Sequence, residues 1–171
     1  MNIPRISQAI AQKTGQQPIG LSKDQLAPFS AGLTNNDIQA YLQHCIPSTK
    51  YDASGIVVCD YESLVLENLL EAGPGCLIYP FGYLVVGTSI GGNAVCFHAD
   101  TGRVCWADHA CFLTDSLSYR EPQTREWVDL SEYTPDNVAQ AMVQLSDDIE
   151  AFLLLLLSED LKETLRKLDL S

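Results

Sequence analysis

The 171-residue sequence predicts an α+β domain, an antiparallel β-meander sheet with flanking N- and C-terminal helices. Three observations carry that expectation. Apolar residues at helical spacing gather towards the two ends of the chain. Short apolar runs broken by Gly, Asn and Asp turns fill the centre. The strand runs follow one another instead of alternating with helices, which argues against a βαβ dinucleotide fold. A hydrophobic fraction of 46% with 19% charged residues is that of a globular chain with enough apolar surface for a core.

Ile6 to Lys13 reads as a short helix and Gly15 to Gly32, with Pro18, Gly20 and Pro28, as an irregular connection. Residues 1–33 are therefore set apart as an N-terminal extension of undecided packing, and 34–171 as the domain. Thr34 with Asp37 predicts a capped helix start, followed by Ile38, Tyr41, Leu42 and Cys45 at helical spacing up to Pro47. Gly55 to Cys59 reads as a strand. Asp60 caps a helix carrying Leu64, Leu66, Leu69 and Leu70, and Gly73-Pro74-Gly75 ends it.

Four strands are expected next: Cys76 to Tyr79, Tyr83 to Thr88, Asn93 to Ala99 and Arg103 to Ala107. Asp100-Thr101-Gly102 predicts a bulged hairpin turn, with Gly102 at positive φ. Pairing Phe97 with Cys105 would place Val95, Phe97 and Cys105 on one face and Cys96, His98, Val104 and Trp106 on the other. Glu126 to Leu130 and Met142 to Leu145 read as further short strands. Thr134-Pro135 and Ser146-Asp147-Asp148 read as helix starts, and Glu159 to Leu168 continues or restarts the last helix.

Charge excludes several functions. The chain carries 22 acidic and 10 basic residues, a net −12, and residues 51–171 hold all but two of the acids and only six of the bases. Such a field repels nucleic acid and anionic membranes and attracts basic proteins. The start of the chain lacks a basic stretch followed by an apolar run, and the longest apolar run, Ala151 to Leu157, falls well short of the ~20 residues a membrane span needs. A cytoplasmic location with six reduced cysteines is expected, and no CxxC pair occurs.

Several groups invite a chemical reading. Cys96-x-His98, Cys105 and His109-x-Cys111 are zinc-type ligands in a spacing that matches no zinc motif. Asp108, His109 and Cys111 supply the residue types of a thiol nucleophile with its base. Adjacent side chains point apart, however, and Asp108 is better read as accepting backbone N–H bonds at a loop entry. The run from Gly87 to Asn93 is glycine-rich but lacks the lysine ending of a phosphate loop. Glu62, Glu67 and Glu71, and likewise Asp147, Asp148 and Glu150, read as solvated faces. No cofactor, metal or catalytic residue is expected.

The segment Phe81 to Phe97, running into Thr101-Gly102-Arg103-Val104-Cys105-Trp106-Ala107-Asp108-His109, resembles the SUKH superfamily, which includes a fungal cell-wall regulator and many bacterial immunity proteins. The similarity lies in an apolar strand, a glycine-rich turn, a TGxV hairpin and an aromatic residue leading to Asp-His. Asp148-Ile149-Glu150-Ala151-Phe152-Leu153 is similar to the family's closing helix, and the Thr34 helix to one near its start. The resemblance spans roughly residues 34 to 157. Gly92-Asn93 departs from it where many members place an aspartate.

The resemblance implies a non-enzymatic protein-binding module, an immunity protein that binds and neutralises a bacterial toxin, such as a basic nuclease domain. Tyr83, Asn93, Trp106 and Asp108 are the candidate contact residues. A general scaffold or regulatory module of the same fold, and a Cys/His metalloprotein or enzyme, are the alternative readings.

Overall fold

The computed structural model describes every residue except 31, 71, 72, 159, 169 and 171. Helix α1 (Ile3–Thr14) starts at Asn2, whose side chain accepts the Arg5 N–H, and ends at Gly15. A short helix α2 (Lys23–Leu26) follows, with Ser22 and Gln25 forming a reciprocal capping box. Helix α3 (Asn36–His44) is capped by Asn35, whose Oδ1 accepts the N–H groups of Asp37 and Ile38. The expected cap, Thr34, instead hydrogen-bonds Asp100 at 2.7 Å and ties the helix to the hairpin turn.

Strands β1 (Tyr51–Ala53) and β2 (Ile56–Val58) form a small hairpin. Asp60 caps helix α4 (Tyr61–Leu69) as the sequence indicates, accepting the Ser63 N–H at 2.9 Å. The run expected to be the meander's first strand, Cys76 to Tyr79, is helical: α5 (Gly75–Ile78) passes into a 3₁₀ turn over Tyr79–Phe81. An apolar run this short does not distinguish strand from helix. Here Gly75 lets α5 press against α4, since a Cβ at residue 75 would lie 2.0 Å from the Glu67 carbonyl oxygen. Pro80 accommodates the turn that follows.

Strands β3 (Tyr83–Ser89), β4 (Ala94–His98) and β5 (Val104–Ala107) form the centre of the sheet. Then come β6 (Phe112–Leu113), β7 (Ser116–Arg120) and β8 (Trp127–Asp129), helix α6 (Pro135–Ala141) and strand β9 (Val143–Ser146). Helix α7 (Ile149–Leu156), capped by Asp148, and α8 (Leu161–Lys167) close the chain. The main sheet is antiparallel in the order β1-β2-β3-β4-β5-β9, and β6-β7-β8 make a second, three-stranded sheet. The α+β class holds. Of the sequence readings, Glu71 and the start of the last helix at Glu159 lie outside the described residues.

Both faces of the main sheet are covered. One face packs Leu84, Val86, Val95, Phe97, Val104 and Trp106 against the apolar sides of the helices, with Phe152, Leu153 and Leu156 of α7 among them. Residues 1–33 belong to this core: Ile6, Ile10, Leu21 and Phe29 are buried in it. The opposite face packs Val85, Ala94, Cys96 and Cys105 against Phe112, Leu117 and Val138 of the second sheet and α6.

The β4–β5 hairpin corrects the expected register by one residue. Its turn is the anticipated one, with Gly102 at φ 71°. Gly102 N–H donates to the His98 carbonyl and His98 N–H to the Arg103 carbonyl, so two residues oppose His98. Phe97 therefore faces Val104, and Cys96 faces Cys105. A one-residue shift exchanges the faces of a strand. Cys105 joins Cys96 on the second face, while Val104 and Trp106 join Val95 and Phe97 in the larger core.

Asn68, buried on α4, completes the sheet. Its Nδ2 donates to the carbonyls of Leu64 and Val85, both at 2.9 Å, and its Oδ1 accepts the Val85 N–H at 2.7 Å. Strand β2 stops short of this point, and the amide side chain takes over the hydrogen bonds a longer strand would have made.

Candidate functional site

The four sequence-named residues divide between the two ends of the main sheet. Asn93, Trp106 and Asp108 lie at the end that holds the β3–β4 turn. Tyr83 lies at the other end, paired in register with His98.

Asn93 organises the turn. Its Oδ1 accepts the His109 N–H at 3.0 Å and lies 2.9 Å from His109 Nδ1. Ser89 and Asn93 also bond across the turn, Ser89 N–H to the Asn93 carbonyl and Asn93 N–H to Ser89 Oγ. Asp108 Oδ1 accepts the Ala110 N–H at 3.0 Å and so caps the 3₁₀ turn over His109–Cys111. That is the loop-entry role read from the sequence. His109 Nδ1 comes within 3.7 Å of the same carboxylate. Both residues thus hold chain segments together while keeping part of their surface exposed.

Trp106 is only 2% exposed and Tyr83 only 5%. The Tyr83 ring packs edge-on to His98 at 4.9 Å, and burial pushes its hydroxyl pKa well up. Neither ring is available to a partner that docks on the surface.

The cysteine chemistry is damped by burial. All six cysteines are free, and all but Cys76 are buried. Burial, with Asp108 adding to it, pushes the Cys111 thiol up to about 12. Burial pushes Cys105 up to about 11 against the opposing pull of Arg103. Nucleophilic cysteines need the opposite shift. Cys96 donates to the Cys105 carbonyl at 3.5 Å. Although the register brings Cys96 and Cys105 opposite each other, no group of three or more His, Cys, Asp or Glu among the described residues is placed to hold a metal ion.

A groove of about 490 Å³ runs beside the β3–β4 turn, between Ile56 and Trp106 of the sheet and Leu165 of α8, and Lys162 and Arg166 also line it. Ile90, at the tip of the turn, is 91% exposed.

A second surface went unmarked in the sequence reading. The outer face of β7–β8 sets Ser118 beside Asp129 and Arg120 beside Trp127. All three residues of β8 are exposed, and Trp127 is 53% exposed. Glu126, Asp129 and Glu132 are exposed around it, and Glu121 is partly so. The available signal was a tryptophan in a run that holds five carboxylates between Glu121 and Asp136. The alternating pattern gave the strand without telling which sheet it joins.

Among the described residues, no helix is long and apolar enough to cross a membrane. No family model matches the chain, and neither does any curated protein or solved structure.

Proposed function

We propose that the protein is a non-enzymatic binding module of the immunity-protein kind, one that captures and neutralises a basic partner such as a toxin nuclease domain. The observation that carries this reading is the exposed Trp127, flanked on its own face by Arg120 and Asp129, in a hairpin whose exposed residues also include Glu126 and Glu132. An exposed aromatic anchor with a charged surround is the composition of a protein-binding hot spot. The net charge of −12 gives that surface long-range attraction for a cationic domain and repulsion for nucleic acid. Asp108, with its side chain 43% exposed, adds a carboxylate at the far turn. The raised cysteine pKa values weigh against the alternative of thiol catalysis.

The test is affinity capture from the source cells at low and high salt, followed by an activity assay of what is captured. A single basic protein, released as salt rises and inhibited by stoichiometric addition of this chain, is the expected result. Partners that are acidic or neutral and held independently of salt would overturn the reading.

A further inference from the structure

We infer that the outer edge of β8 accepts an extended, basic segment of a partner protein as an added antiparallel strand, with Trp127 as its anchor. The inference rests on the proposed capture of a basic partner and specifies how capture occurs.

The backbone geometry supplies the template. Glu121 N–H donates to the Glu126 carbonyl and Leu130 N–H to the Leu117 carbonyl. The register between them pairs Tyr119 with Val128. Antiparallel strands alternate hydrogen-bonded and non-bonded pairs, so Val128 turns its backbone groups towards β7 while Trp127 and Asp129 turn theirs away. Strand β8 is the last in its sheet, and that outer edge has no neighbouring strand among the described residues. Unpaired N–H and C=O groups on an edge strand recruit another chain.

Side chains decide which chain. Trp127 and Asp129 share the outer face with Ser118 and Arg120. Val128, on the other face, is also exposed. An incoming strand with alternating apolar and cationic residues would lay its apolar groups on Trp127 with its charges near Glu126, or its apolar groups on Val128 with its charges near Asp129. A second copy of this chain fits badly, because both chains carry a net charge of −12. Residues 120–132 hold Glu121, Glu126, Asp129 and Glu132 against Arg120 and Arg125, so the excess of carboxylates together with the chain's net charge favours a basic occupant.

The experiment titrates the purified protein into a short, fluorescein-labelled peptide of alternating lysine and valine and follows the anisotropy of the label, a readout that does not depend on Trp127. Controls are the same peptide N-methylated at alternate amides, which keeps charge and side chains but blocks strand pairing, and a glutamate–valine peptide. Three variants complete the set: Trp127→Ala removes the anchor, Asp129→Pro removes an outward N–H and a carboxylate without touching the bonds to β7, and Asp129→Asn, which keeps the N–H, isolates the effect of the charge. Melting curves and circular dichroism establish that all three remain folded.

The expected result is binding by the lysine–valine peptide alone, at least about tenfold weaker in Trp127→Ala and in Asp129→Pro, and weaker in Asp129→Pro than in Asp129→Asn. Equal, salt-sensitive binding of the N-methylated peptide would overturn strand addition and leave the capture of a basic partner standing. Binding unaffected by Trp127→Ala and Asp129→Pro, or no binding by the lysine–valine peptide, would also overturn strand addition. A captured natural partner that is not basic would remove the reading beneath it.

Discussion

The chain's two tryptophans occupy opposite situations. Trp106 sits on β5, packed with Val95, Phe97 and Val104 beneath the helices. Trp127 stands on the last strand of a three-stranded sheet with half its surface in solvent. Around Trp106 the sequence is dense with chemistry-bearing types, Cys96, His98, Cys105, Asp108 and His109. Around Trp127 it has no motif, only carboxylates, two arginines (Arg120 and Arg125) and a short strand run. The fold reverses the apparent importance of the two regions. The hairpin that looks chemical is buried on both faces and its thiols are held neutral, while the plain segment presents the larger free anchor.

That contrast is sharpest in stability. Trp106→Ala should cost about 4 kcal/mol, because a large buried ring leaves a cavity its neighbours cannot fill. Trp127→Ala should change stability by less than about 0.5 kcal/mol, as expected of a surface position. Denaturant unfolding of the two variants measures both, and similar losses would break the comparison. A loss of about 3 kcal/mol is expected for Asn68→Leu, which leaves the buried N–H and carbonyl of Val85 without their partner.

Tyr41 gives an effect of the opposite sign. Its ring packs edge-on to Phe97 at 5.5 Å, and its buried hydroxyl has no hydrogen-bond partner among the described residues. Tyr41→Phe should therefore raise stability by about 1 kcal/mol, and a fall of that size would show that the hydroxyl is satisfied.

The smallest effect is one of pH. Burial lowers the His98 pKa from the ordinary histidine value of 6.5; Asp100 opposes the shift and Arg103 adds to it. The unfolded chain then binds this proton more readily than the folded one. The contribution is fully present above the unfolded value near 6.5 and declines as pH falls below it. His98→Gln should flatten that part of the stability profile. An unchanged slope between pH 7 and 5 would assign it to other groups.

Local signals made much of the fold legible. Asp60, Asp148 and Thr134 mark helix starts in the sequence and cap those helices in the structure. Gly102 marks the hairpin bulge. What stayed hidden depended on contacts distant in sequence. Cys76 to Tyr79 coils because Gly75 meets α4. The register of β4 against β5 turned on which residue carries the bulge, and one position moved Cys105 and Trp106 to opposite faces. The packing of residues 1–33 became visible only once Ile6, Ile10 and Phe29 met the main core.

The candidate site was less legible than the fold. Asn93 and Asp108 were named, and both are at the surface in hydrogen-bonded roles. Trp106 and Tyr83 were also named, but an aromatic residue inside a motif carries no mark of its burial. Trp127 carries no mark in the sequence because its exposure arises from where the second sheet ends, and strand periodicity does not encode that.

The most direct test of the account is the affinity of the captured basic partner as a function of salt, for the wild-type chain and for a Glu126→Lys, Asp129→Lys double variant of unchanged melting temperature. The account predicts binding weakened by at least about a hundredfold at low salt and a flattened salt dependence. Equal affinity with the same salt dependence would contradict it and move the interface away from β8.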